Sequence, residues 1–169
     1  MSYRILRCAA VFLFCILGAS LASAQQAKPG VLNSSEVKQA VPSVYFFRGQ
    51  SATVQVRNAG GIRLDGGKLV LAALVDTSGY SADVSAKYQG LLITEVKLNF
   101  GDSALNPGQY GFGFKDDKFL VMDVGANDLF SVPTKTDDAL KRPVPLKIVE
   151  EGGEYRLYAG KKWIALKPE

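Results

Sequence analysis

The chain has 169 residues, 47% of them apolar, a formal net charge of +4 and no histidine. Its basic residues are scattered, with only Lys141 and Arg142, and Lys161 and Lys162, adjacent to each other. Binding to nucleic acid usually needs a dense basic stripe. The composition therefore predicts no nucleic acid among the partners.

The N-terminus has the pattern of an export signal. Arg4 and Arg7 precede an apolar run, "CAAVFLFCILGASLA". The small residues Ala22 and Ala24 then occupy the two positions that signal peptidase recognises before its cleavage site. We expect residues 1–24 to be a cleaved signal peptide, which directs the protein to the periplasm or the medium. An uncleaved anchor is the alternative, but a membrane span usually needs about 20 apolar residues. No transmembrane segment is expected after cleavage.

Removal of this segment would leave a chain without cysteine, because Cys8 and Cys15 both lie within it. Without thiol and imidazole groups there is no Ser-His-Asp or Cys-His catalysis and no zinc or copper site of the usual kind. Only a hard, oxygen-liganded ion such as calcium would remain. We expect no cofactor and no enzymatic activity.

Most of the chain reads as a succession of strands. After a flexible lead-in over 25–34, residues 35–169 form one β-rich domain without a repeat or a linker. Apolar and polar residues alternate through "SATVQVR", while "KLVLAALV" is apolar throughout and predicts a central strand covered on both faces. "LLITEVKLNF" reads as one further strand, and Asp65–Gly67 is a tight-turn signal.

Three short helices interrupt the strands in this interpretation. The first is "SSEVKQAV", with Ser34 or Ser35 as its cap; the others cover 81–89 and 136–142. About ten strands with two or three short helices and glycine-rich turns predict a mainly antiparallel all-β domain, either a small barrel or a sandwich.

One predicted hairpin pairs "QYGFGF" with "KFLVMDV". Tyr110, Phe112 and Phe114 share one face of its first strand, and Gly111 and Gly113 share the other. Glycines inside a strand mark a bend or the close approach of another group. We expect the rings to face inward with a helix or a side chain over the glycines. The alternative is that the glycines or the rings line a cavity for a ligand.

This hairpin also carries a resemblance. Its entry, "LNPGQY", resembles hairpin entries of secreted bacterial β-domains, and the chain from "YFFRGQSATVQVRN" onward is similar to an uncharacterised family of exported bacterial all-β proteins. That resemblance implies an all-β fold and export. It implies no activity and no site.

Polar residues in and around the strands complete the candidate ligand-binding set. Asp123 follows Phe119 and Val121 on one face of an apolar strand, where a buried carboxylate would need a partner or a proton. It is either a structural residue whose carboxylate accepts hydrogen bonds from the backbone amides of a turn, or a residue that anchors a ligand in a pocket. With Asn127 and Asp128 it forms either an oxygen-rich calcium site or a plain turn.

Tyr80 and Arg48 join this set. Tyr80 lies in the loop that follows the predicted central strand, and loops on a rigid scaffold concentrate binding residues. The alternative is ordinary capping of the following helix. Arg48 is either part of a surface ion pair or an anion-binding residue.

Three functions remain open at this point. The first is an exported, non-enzymatic β-domain that binds a small molecule or an envelope protein. The second is a purely structural or interaction module of the envelope, and the third is a hydrolase with two converging carboxylates. A cavity lined by Tyr110, Phe112 and Phe114 would favour a small-molecule carrier. A packed interior with an exposed apolar patch or a free strand edge would favour an interaction module.

Overall fold

The computed structural model describes residues 28–169. In this part of the chain, short turns connect strands that follow one another closely, and helices are few. The strands are β1 (Gly30–Val31), β2 (Val44–Phe47), β3 (Gln50–Arg63), β4 (Leu69–Val75), β5 (Gly90–Thr94), β6 (Leu98–Phe100), β7 (Ser103–Leu105), β8 (Gly108–Lys115), β9 (Lys118–Met122), β10 (Asp128–Pro133), β11 (Lys135–Thr136), β12 (Val144–Glu151), β13 (Glu154–Gly160) and β14 (Lys162–Pro168). The helices are α1 (Ser34–Ala40) and α2 (Ala82–Ser85), and a 3-10 turn spans Asp65–Gly67.

The strands form two sheets in which every pair is antiparallel. In residues 28–169 the large sheet has eight strands in the order β1-β3-β4-β5-β8-β9-β10, with β2 attached to β3. The small sheet of the same residues has six, in the order β12-β13-β14-β6-β7, with β11 attached to β14. The predicted mainly antiparallel β class is therefore confirmed. Within residues 28–169 both sheets are open, so their arrangement is sandwich-like.

A first core fills the space between the two sheets. Its side chains come from alternate positions of both, as the period of two in a strand requires. Strand β4 contributes Val70 and Ala72 here and sends Leu71 and Ala73 to its other face. The prediction that "KLVLAALV" is a central strand covered on both faces is confirmed.

A second core covers the outer face of the large sheet. Helix α1 contributes Val37, the segment around α2 contributes Val84 and Tyr88, and β2 contributes Tyr45 and Phe47. The part of the chain that the structure describes thus has three layers: the small sheet, the large sheet, and a cover of two helices and the β2–β3 hairpin. No helix in the described part is long and apolar enough to cross a membrane.

Strand β3 belongs to two of these layers. Val54 pairs with Val75 and Ala59 pairs with Ala73, so five residues of β3 advance along only two residues of β4. This irregularity bends the strand. The part before it pairs with β2 over the outer face, and the part after it lies in the large sheet.

Two of the helix predictions are confirmed in kind, with different limits. Helix α1 begins after Asn33, whose side chain accepts hydrogen bonds from Ser35 N and Glu36 N, while the Glu36 carboxylate accepts one from Asn33 N. This capping box places the cap one residue before Ser34. Helix α2 has only four residues, although Val84 and Tyr88 lie in the same core as expected.

The helix predicted over 136–142 is wrong. Lys135 and Thr136 pair with β14 instead, and the Asp137 carboxylate accepts hydrogen bonds from Ala139 N and Leu140 N. This bond of a side chain to nearby backbone amides competes with a helix.

The strand count also differs from expectation, because "LLITEVKLNF" is two strands in two sheets. Thr94 Oγ1 donates to the Val96 carbonyl at 2.6 Å and accepts from Val96 N at 3.3 Å. This local turn ends β5 in the large sheet and redirects the chain into β6 of the small sheet. Short strands such as β1 add to the count. Its residues, Gly30 and Val31, lie in the segment expected to be a flexible lead-in.

Candidate functional site

The aromatic face of β8 packs into the core between the sheets. Phe112 is fully buried, with its ring centroid 5.6 Å from that of Phe119 and 6.2 Å from that of Phe114. Tyr110 and Phe114 are half-buried against the same core. The three rings therefore fill the interior around Phe112, as the inward-facing interpretation expects.

The glycine face of β8 is where the outer layer comes closest to the sheet. A Cβ on Gly111 would collide with the Phe47 ring and approach Tyr88, and a Cβ on Gly113 would collide with the Lys87 carbonyl. The prediction that another group lies over these glycines is confirmed. Because their side of the strand is bare, the hairpin and the end of the α2 segment can rest on the backbone itself.

Asp123 follows the end of β9 and is half-exposed, so the burial expected for it is wrong. Its carboxylate accepts hydrogen bonds from Gly125 N at 2.8 Å, Asn127 N at 2.9 Å and Asn127 Nδ2 at 2.9 Å. The bonds from Asn127 and then that from Gly125 lower the pKa of Asp123 below its ordinary value. The group is an ionised turn cap, which agrees with the structural interpretation of this residue.

Arg48 and Tyr80 meet the same part of the molecule. Arg48 stands in the β2–β3 turn with a positive φ of 48°, and its backbone N–H donates to the Val124 carbonyl at 2.7 Å. The Tyr80 hydroxyl donates to the Phe47 carbonyl at 3.0 Å, with the Gln50 carbonyl at 3.3 Å. The hairpin turn is thus held from two sides, by the loop of Tyr80 and by the turn that Asp123 caps.

The six predicted residues consequently form two groups on opposite faces of the large sheet. Arg48, Tyr80 and Asp123 surround the β2–β3 turn on the outer face. Tyr110, Phe112 and Phe114 lie on the inner face. The structure does not bring the two groups together into one pocket.

A cluster of aromatic rings lies beneath the hairpin. Phe47 stacks on Tyr88 with centroids 3.8 Å apart, and Tyr80 meets both rings edge-on. The hydroxyls of Tyr45 and Tyr88 are buried without a hydrogen-bond partner within the described residues. Burial raises the pKa of both hydroxyls, and the neighbouring tyrosines add to the effect.

Above this cluster, β2 is an edge strand with one free side. Its only partner in the described chain is β3, with Tyr45 opposite Ala52 and Phe47 opposite Gln50. Ser43 O accepts from Val54 N at 2.9 Å, which fixes the phase of the antiparallel ladder. Since hydrogen bonding alternates along such a ladder, the N–H and C=O groups of Val44 and Phe46 point away from β3.

The side chains at these two positions are also uncovered. Val44 is 53% exposed and Phe46 is 59% exposed, and both stand on the face of the hairpin that points away from the core. Val124, whose carbonyl receives the Arg48 N–H, is 47% exposed. The free edge and the apolar side chains therefore lie on the same strand. The sequence pattern indicated this strand but not its edge position, because local pattern does not determine the order of strands in a sheet.

Two carboxylates do converge elsewhere, on the outer face of the small sheet. The Tyr158 hydroxyl lies 3.1 Å from Asp137 Oδ2 and 3.4 Å from Glu151 Oε2. Both acids have other structural partners. Glu151 pairs with Arg156 at 2.6 Å, and Asp137 caps the following turn. Through these bonds the two carboxylates connect β12, β13 and the 137–140 turn, which is a structural role.

No group of three or more His, Cys, Asp or Glu side chains within residues 28–169 is arranged to hold a metal ion. The two carboxylates in the cluster of Asp123, Asn127 and Asp128 make different contacts. Asp123 caps the turn, while Asp128 pairs with Lys87 at 2.9 Å. The arrangement agrees with a plain turn at this position.

Comparison of the chain with protein-family models, with curated proteins and with solved structures gives no match.

Proposed function

We propose that this protein is an exported, non-enzymatic interaction domain that binds an extended segment of a protein partner in the cell envelope. The observation that carries the proposal is the free edge of β2, where Val44 and Phe46 present both unpaired backbone groups and exposed apolar side chains. Export rests on the sequence of residues 1–24, which lie outside the described part.

The binding mode is the addition of a strand. An extended segment laid beside β2 would take up the outward N–H and C=O groups of Val44 and Phe46, and its alternate side chains would cover theirs. Natural edge strands are commonly guarded by charged residues, proline or a bulge. Within Val44–Phe47 there is none of these.

The edge strand is fixed in an extended conformation before a partner binds. Tyr45 and Phe47 anchor the strand in the outer core, and the Arg48 N–H and the Tyr80 hydroxyl fix its turn. A preorganised edge loses less conformational freedom on binding than a loose one. The candidate residues Arg48, Tyr80 and Asp123 thus enter the proposal as supports of the edge rather than as ligand contacts.

The small-molecule version of this function has less support at the aromatic strand. A carrier cavity at this strand would need Tyr110, Phe112 and Phe114 as its lining, whereas Phe112 is fully buried among other rings. The exposed edge is the feature that an interaction module needs.

The test begins with gentle purification from the envelope of the source organism, followed by native mass spectrometry. We expect a complex with another protein, and we expect hydrogen exchange at the amides of Val44 and Phe46 to slow in that complex. A complex in which these two amides exchange as fast as in the free protein would contradict the assignment of the edge.

Matched substitutions make the test specific. Phe46→Lys places a charge on the free edge and should abolish the complex without unfolding the protein, because the side chain is exposed. Leu129→Lys is the control, since Leu129 is 47% exposed on β10 at the other end of the large sheet. It should leave the complex intact. A concentration-dependent dimer in sedimentation, lost in Phe46→Lys, would instead identify a second copy of the chain as the partner.

A further inference from the structure

A groove of about 830 Å³ opens between the two sheets at one end of the sandwich. The large sheet contributes Leu74 near the end of β4, Gln89 before β5 and Phe114 near the end of β8. The small sheet contributes Val144 at the start of β12 and the β13–β14 turn at Gly160–Lys162. This volume is in the range of sites that hold small ligands.

The walls of the groove are mostly apolar. Leu74 and Phe114 are half-buried and continue into the core between the sheets. Val144 faces them from the other sheet, with Pro143 and Pro145 on either side. An apolar ligand body placed here would remove these side chains from water, which is favourable.

Two glutamine side chains in the groove, Gln55 and Gln89, already hydrogen-bond to other groups of the protein. The Gln89 amide accepts from Phe114 N at 2.9 Å and donates to Phe114 O at 3.0 Å. The Gln55 amide donates to the Val75 carbonyl at 3.2 Å and accepts from Asn58. These two amides are therefore satisfied within the protein, and the other side-chain donors of the groove belong to Thr77, Thr136 and two lysines.

The charge of the groove comes from two lysines. Lys162 pairs with Asp117 at 2.8 Å, whereas Lys161 has no ion pair within residues 28–169. Within the described part of the chain, no Asp or Glu lines the groove. One positive charge is therefore left unmatched beside an apolar wall, a combination complementary to a single negative charge on an apolar body.

We propose that this groove binds a monoanionic amphiphile, a carboxylate with one aliphatic chain. Lys161 meets the carboxylate, and Leu74, Phe114 and Val144 contact the chain. The site is separate from the β2 edge, because it lies between the sheets whereas β2 lies over the outer face of the large sheet. The inference does not rest on the function proposed above.

The experiment is a calorimetric titration of the purified chain with decanoate and with decanamide, its uncharged counterpart. We expect one decanoate per chain and an affinity for decanamide about fivefold weaker, since the amide lacks the charge that Lys161 meets. Absence of decanoate binding at millimolar concentration, or equal affinity for the two probes, would overturn the proposal.

Substitutions locate the site. Lys161→Gln should weaken decanoate binding about fivefold and leave decanamide unchanged, a magnitude typical of one exposed charge interaction. Val144→Asp should weaken both probes. The control is Lys68→Gln, which makes the same charge change at the opposite end of β4 and should leave both affinities unchanged. Equal losses from Lys161→Gln and Lys68→Gln would show a general charge effect and refute the site.

Discussion

Phe47 and Tyr88 stack face to face, with ring centroids 3.8 Å apart and planes inclined by 16°. One ring belongs to the β2–β3 hairpin and the other follows α2, so this contact joins two parts of the outer layer. Both rings press on the strand below, where Gly111 has no side chain. The glycine is the reason the stack can lie so close to the large sheet.

This contact predicts that Gly111→Ala destabilises the protein. The new Cβ would collide with the Phe47 ring, so the hairpin must shift, and overpacking of this kind costs about 1–3 kcal/mol. Urea unfolding would measure the change. Gly79→Ala is the matched control, because within the described residues no atom beyond its chain neighbours lies within 4 Å of its Cβ position, and its φ is not in the left-handed region. If both variants lose the same stability, the close packing at Gly111 is not the cause.

The buried hydroxyl of Tyr88 gives a second prediction, of opposite sign. Since this hydroxyl is fully buried and has no partner in the described chain, Tyr88→Phe should raise the free energy of unfolding by about 1 kcal/mol. Tyr80→Phe is the comparison, because its hydroxyl donates to the hairpin backbone and its loss should cost about 1 kcal/mol. Thermal unfolding of the two variants would separate them; a destabilised Tyr88→Phe would show that its hydroxyl has a partner.

The raised pKa values of Tyr45 and Tyr88 predict sensitivity to alkali. The unfolded tyrosines ionise near pH 10 and the folded ones only at higher pH. The stability associated with these groups is therefore complete below about pH 10 and is lost as the pH rises beyond it. Urea midpoints between pH 8 and 11.5 should fall more steeply for the wild type than for the double variant Tyr45→Phe/Tyr88→Phe. Parallel curves would mean that other groups, such as lysines, cause the alkaline loss.

Asp123 predicts a dependence on acid. Its folded pKa lies below its unfolded value, which is about 3.9, so its contribution is present above that pH and disappears as the pH falls through the folded pKa. Asp123→Asn should be less stable than the wild type at pH 7, and the difference should begin to narrow near pH 4 and vanish below the folded pKa. Asp138→Asn, at an exposed turn position, is the control and should follow the wild type throughout. A difference that persists unchanged at pH 2 would contradict the role of the charge.

The sequence pattern correctly predicted those strands whose burial follows from the order of apolar and polar residues. The period of two identified the half-buried strands, and the unbroken apolar run of β4 indicated cover on both faces. The bare positions Gly111 and Gly113 correctly indicated a close approach. What approaches them could not be read, because Phe47 and Lys87 reach the strand through the tertiary fold.

The errors have an equally physical origin. The 136–142 segment has good helix-end residues, but Asp137 bonds to the amides of Ala139 and Leu140 and holds a turn instead. The Thr94 hydroxyl hydrogen-bonds to the backbone of Val96, and this bond ends β5. A strand-propensity scale does not include such a bond and therefore predicts that the strand continues. The edge position of β2 follows from strand order, and the groove at Lys161 follows from how two sheets face each other. Neither is contained in a short window of sequence.

The continuity of β3 has a mechanical consequence. The same strand that pairs with the exposed β2 continues past its bend to Ile62 in the core between the sheets. A partner that pulled on β2 would load the β2–β3 hydrogen bonds in shear, and the tension would reach the centre of the domain through an unbroken backbone. The bend between Val54 and Ala59 is the point at which such a load would change direction.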